Sequence, residues 1–233
     1  MFMVNIISVR YNRRVKKEFC ELKNFAAVCA IYGVVSLLVF MASGHLIHIS
    51  MVWNLLLAVA PLAAAVFAVK AKNKWIRILF GAVWLVFLPN AFYVLTDFIH
   101  ISQLVFFEGN YYAFKTVTYA HDIVIYLELV SIALGYLLAV ISGIWAVRKV
   151  HVAIKKKWAP VVLTAVFLLV GYAMYIGRFI RLNSWDIVNV PLLIQKLTDG
   201  FSWFGIGMSV LFAVYSAAVY GIYLMMSGHT RKY

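Results

Sequence analysis

Residues 52–77 read VWNLLLAVAPLAAAVFAVKAKNKWIR. The eighteen residues from Val52 to Val69 carry no charge, and four basic residues follow between Lys70 and Arg77. A helix needs about 20 mainly apolar residues to cross a bilayer, and loops rich in Lys and Arg stay on the cytoplasmic side. The stretch therefore reads as a transmembrane helix running inward into a cytoplasmic loop. A second apolar run, 75–96, begins at once, so the chain turns back.

The pattern repeats. Apolar runs at 25–47, 52–69, 75–96, 121–147, 158–177 and 202–226 predict an all-α polytopic transmembrane helical bundle of about six spans. Two shorter runs, 101–107 and 187–194, are too short to cross and predict segments at the outer interface. With 65% hydrophobic residues, 12% charged residues and a mean hydropathy of +0.93, the chain cannot cover an aqueous surface. Seventeen Lys and Arg fall before the first span, in 70–77, in 148–157 and in the tail, against four in the alternate loops. Both termini are therefore expected inside. The reading divides the chain into a basic cytoplasmic segment 1–24, a six-span domain 25–226 and a cytoplasmic tail 227–233.

A net charge of +13 suggests nucleic acid only where basic residues share one face. Here they come in short clusters between apolar runs, so no nucleic-acid partner is expected. Residues 1–24 are too long and too basic for a signal peptide's leading region, which predicts an uncleaved first span. Cys20 and Cys29 fall at or inside that span, away from the oxidising side, so no structural disulfide is expected.

Three outer segments hold polar residues that a plain span or loop does not need. The first runs from Pro89 to His100, where Asn90, Tyr93, Asp97 and His100 are spaced 3, 4 and 3 and fall on one helical face. A polar stripe in lipid is costly, so it is expected to face the bundle interior. The second is His121-Asp122 followed by Glu128, with His121 and Glu128 expected on one face about two turns apart. Glu128 lies deep enough to need a partner, for which Arg178 and Arg181 are the candidates, or else a proton. The third runs from Gly177 to Asp186. There Arg178 and Arg181, at i and i+3, could form one cationic face for a phosphate or carboxylate, oriented by Asn183 and Asp186. His45 and His48 are expected to be interfacial only.

The Phe87–His100 stretch (Phe-Leu-Pro-Asn…Tyr…Thr-Asp…His) and the Gly177–Asp186 stretch (Gly-Arg-Phe…Arg…Asn-Ser-Trp-Asp) resemble those of a bacterial family of integral membrane proteins, domain of unknown function 1361. The resemblance spans residues from about 50 to 226 and leaves out the basic N-terminus. It implies a membrane topology and the position of a site, and it implies no reaction. A bacterial cytoplasmic (inner) membrane location goes with it.

Several functions fit this pattern. In a metal-assisted enzyme, Asp97, His100 and His121 would hold zinc or another divalent metal with an open position for water, while Arg178 and Arg181 bind a lipid-linked or small anionic substrate. Without a metal, Asp97, His100, His121, Asp122 and Glu128 could supply acid–base pairs for a hydrolase or transferase. In a different class, a proline-interrupted span with polar groups at its outer end suits a small-solute-binding component of a transporter. That component would need a partner membrane protein, for which Ala26 and Ala30 offer a contact face. Finally, the charges could simply neutralise one another and pin the helices together. Besides any substrate, membrane lipids are the expected partners.

Overall fold

The structure, a computed structural model, describes the backbone of residues 2–109, 117–182 and 188–228, with side chains from residue 21 onward, Asp199 excepted. Seven α-helices dominate it: α1 (Phe2–Ser43), α2 (Ile47–Lys70), α3 (Lys74–Tyr93), α4 (Ile123–His151), α5 (Ala159–Tyr175), α6 (Val190–Asp199) and α7 (Trp203–Met226). A 3₁₀ segment, Val94–Gln103, continues α3, and a π-helical turn, Ile176–Ile180, continues α5. The two-residue strands β1 (Phe107–Glu108) and β2 (Thr118–Tyr119) pair antiparallel beyond the end of that 3₁₀ segment.

Among the described residues, six segments are long and apolar enough to cross a membrane: Glu21–Ser43, Ile47–Lys70, Lys74–Gln103, Ile123–His151, Lys156–Ile180 and Trp203–Met226. Large apolar side chains such as Leu38, Met41, Leu56, Leu79, Leu168 and Val214 remain exposed along them. In a bilayer such faces meet acyl chains, and the chain is a multi-pass membrane protein.

The spans start and stop where local chemistry says they should. Asn73, Asp122 and Ser202 cap α3, α4 and α7, each accepting a backbone N–H of the first turn. Gly44, at φ 74°, takes the left-handed conformation that ends α1 and turns the chain into α2. The basic segment 1–24 is helical from Phe2 and continuous with the first span, as a stretch without proline or internal glycine permits. One expectation shifts. The run 101–107, expected at the interface, is partly the end of the third span, because the helix tightens after Tyr93 instead of stopping.

Packing joins α2 to α3 and α4, and α5 to α7, with α1 against α2 and α4. Small residues allow the close approaches. A Cβ at Gly171 would collide with the Ser209 carbonyl and the Ala213 amide of α7. Polar side chains add bonds between helices: Ser142 donates to the Ala58 carbonyl at 3.0 Å, and Ser36 to the His48 carbonyl at 2.9 Å. With alternate crossings, the C-terminal ends of α1, α3 and α5 share one end of the bundle with the N-terminal ends of α2, α4 and α7. By the Lys and Arg distribution of the sequence, this is the end expected to face outward.

Candidate functional site

At that end the helices enclose a cavity of about 880 Å³. Most of its wall is apolar, with Leu57, Leu85, Val86 and Leu169 among the lining residues. The expected stripe of Asn90, Tyr93, Asp97 and His100 lines it entirely. The change to 3₁₀ geometry preserves the stripe, since residues i and i+3 eclipse there and hold Asp97 and His100 on one side. α3 passes through Pro89 without breaking, and Asn90 turns its amide back to the Phe87 carbonyl at 3.1 Å.

Asp97 is only 3% exposed. Its Oδ2 accepts from Asn54 Nδ2 at 2.8 Å, and Arg178 Nη1 lies 3.5 Å from its Oδ1. Arg178 Nη2 points at His100 Nε2 from 3.4 Å. A guanidinium only donates, so that imidazole nitrogen is the acceptor. Carboxylate, guanidinium and imidazole thus meet on one wall, brought there by the 3₁₀ segment and the π turn, with Asn54 of α2 beside them.

The π turn also separates the two arginines. Arg178 lines the cavity, whereas Arg181, at φ 58°, terminates the turn and is exposed. The expected joint cationic face does not form, because the widened turn and the left-handed residue break the i, i+3 relation. The Arg181 carbonyl instead accepts from Lys196 Nζ, which ties α6 to this end of α5.

Glu128, 2% exposed, is paired as its depth requires, although with neither arginine. Its Oε2 meets His45 Nδ1 at 2.7 Å and His48 Nε2 at 3.2 Å. The Gly44 turn and the first turn of α2 deliver both histidines to α4. His48 is completely buried, and its other nitrogen lies 3.3 Å from Ser131 Oγ. The expectation that these histidines are merely interfacial is corrected: His48 is a core residue, and His45 joins Glu128 in the cavity wall.

His121 and Asp122 do not join the site. Asp122 is the N-cap of α4, accepting from Val124 N at 2.9 Å. His121 precedes the helix, so it shares no helical face with Glu128; it is exposed and lies off the cavity lining. Asn183 and Asp186 lie outside the described residues. Among the described residues no group of three or more His, Cys, Asp or Glu side chains is placed to hold a metal ion. The Arg178 guanidinium, close to both Asp97 and His100, would repel a divalent cation placed between them. Of the three ligands expected for zinc, Asp97 and His100 line the cavity and His121 does not.

Three participants escape a reading of the sequence alone: Asn54, His45 and His48. Asn54 carries a signal in the sequence, since it is the one polar side chain in the apolar run 52–69 and must find a partner there. The histidines carry a weaker one, an i, i+3 pair ahead of a span.

Residues 53–223 match a protein family described as Protein of unknown function (DUF1361). No curated protein and no solved structure matches the chain. The matched region begins inside α2 and ends inside α7, and it contains Asn54, Asp97, His100, Glu128 and Arg178 but neither His45 nor His48. It covers well over half of the chain, and the protein belongs to the DUF1361 family of proteins of unknown function.

Proposed function

We propose that this membrane protein takes an anionic amphipath, lipid-linked or lipid-like, into the cavity at the outer face of a bacterial cytoplasmic membrane and acts on it as a hydrolase or transferase. The observation that carries the reading is Arg178. It sits on the wall of a mainly apolar cavity with two of its N–H groups engaged at 3.4 and 3.5 Å among the described residues. A guanidinium has five N–H donors in a planar fork, so others remain for a phosphate or carboxylate oxygen pair. Asp97 and His100 engage the guanidinium on the same cavity wall, and the apolar lining suits the hydrocarbon part. A volume of about 880 Å³ lies within the usual range for ligand pockets. The carboxylate–imidazole pairs beside it supply proton-transfer groups of the kind such reactions use.

The test is conversion of an anionic lipid extract by the purified full chain in nanodiscs, followed by untargeted mass spectrometry. Wild type is expected to retain and alter one class of anionic lipid, and Arg178→Gln to do neither. Retention without chemical change would favour solute capture, the reading in which this cavity hands a ligand to a partner membrane protein. Failure of wild type to retain any anionic amphipath would overturn both.

A further inference from the structure

The Glu128 cluster is built differently from the Arg178 wall. Glu128 Oε2 receives two imidazoles, one of them sealed and one facing the cavity. His48 has no exposure, and both of its nitrogens are engaged, by Glu128 and by Ser131. His45 is 56% exposed at its side chain and lines the cavity; of its two ring nitrogens only Nδ1 has a partner among the described residues.

With Glu128 taken as ionised, hydrogen-bond chemistry assigns the proton positions. A carboxylate offers only acceptors, so an ionised Glu128 requires N–H donors from both rings. His48 then donates from Nε2, and its Nδ1 accepts from the Ser131 hydroxyl. His45 donates from Nδ1, which leaves the lone pair of the neutral ring on Nε2, the nitrogen free to meet a ligand. His48 and Ser131 hold Glu128 from the protein side, so the His45 ring rests on an anchored support. A buried carboxylate orienting an imidazole whose far nitrogen is open is the arrangement that makes histidine an effective base.

We infer that His45 is the proton acceptor of this cavity, with Glu128 as its positioning residue and Arg178 as the anchor of the anionic group. The inference rests on the cavity reading proposed above and assigns it a base. In the step, an O–H bond of a substrate hydroxyl or a water breaks as an N–H bond forms at His45 Nε2. The electron pair stays on the oxygen, which becomes the nucleophile. The ring becomes an imidazolium whose charge faces the Glu128 carboxylate, 2.7 Å from Nδ1.

Two measurements on the purified full chain judge it. In the lipid-conversion assay, His45→Gln is expected to abolish conversion and Glu128→Gln to slow it at least tenfold. Both variants should still bind dodecyl phosphate within threefold of wild type, which shows that the cavity is intact. Conversion by His45→Gln at the wild-type rate would overturn the inference while leaving the cavity reading standing. Absence of dodecyl phosphate binding by wild type would remove the cavity reading and, with it, this role. Independently of turnover, ¹⁵N-histidine NMR should find the neutral His45 ring protonated at Nδ1 in wild type and released from that tautomer in Glu128→Ala, where no acceptor remains. A wild-type proton on Nε2 would overturn the assignment.

Discussion

Replacing Asp97 by alanine removes the group that joins α2, the 3₁₀ segment and the end of α5. Two polar groups lose their partner. Asn54 Nδ2, now 2.8 Å from Oδ2, is left in the half-buried wall, at about 1 kcal/mol. The Arg178 charge is left with a side chain 18% exposed. Breaking a fully buried ion pair costs about 3–5 kcal/mol. This contact, at 3.5 Å, is longer than the ~2.8 Å of a strong charge-assisted bond, and the cavity admits water to the arginine, so about 1–2 kcal/mol is expected from it. Asp97→Ala should therefore destabilise by about 2–3 kcal/mol. Asp97→Asn, which keeps an acceptor for Asn54, should cost only about 1. A double-mutant cycle with Arg178→Ala, read by equilibrium unfolding in mixed micelles, should give a coupling energy of about 1–2 kcal/mol. A coupling within about 0.3 kcal/mol of zero would refute the reasoning, because the two side chains would then not sense each other.

Other outcomes follow from the same structure. Gly171→Ala places a Cβ against the α7 backbone at Ser209 and Ala213, which cannot move as a side chain can, and should cost about 1–3 kcal/mol in the same unfolding assay. Gly207→Ala, with open space around it, is the near-neutral control. Glu128→Ala should destabilise more than Glu128→Gln, by about 1 kcal/mol, since glutamine keeps a carbonyl acceptor for His45 and His48; equal losses would deny the pairing. Single cysteines at Gly109 and Thr198 should react with an impermeant maleimide in intact cells, whereas cysteines at Asn73 and Lys156 should not.

The spans are legible in the sequence because a bilayer leaves little freedom: an apolar run of the right length must be a helix, and clustered Lys and Arg orient it. The stripe from Asn90 to His100 is legible for a related reason, as polar residues inside a span must face inward. Side-chain partners across helices are not legible, because periodicity says which face a residue occupies and nothing about which helix lies opposite. Glu128 demonstrates this. Its depth announces a partner, and two arginines at the outer end of another span are natural candidates, yet the Gly44 turn brings His45 and His48 there first. Arg181 fails for a local reason, since nothing in Ile176–Ile180 announces a π turn that ends in a left-handed residue. His121 falls outside the helix although the sequence carries the signal for it: Asp122 just before an apolar run is a helix cap, which leaves the preceding residue outside.

The central claim is that Arg178 binds the anionic group of an amphipath in the outer cavity, and calorimetric titration of dodecyl phosphate tests it most directly. The full chain in neutral-detergent micelles is titrated against matched empty micelles, beside Arg178→Gln. Saturable binding to wild type, weakened at least tenfold in the variant, is the expected result; tenfold corresponds to about 1.4 kcal/mol, in line with loss of a charge-assisted contact. Equal affinity in the two proteins, or no binding beyond the empty micelle, would contradict it.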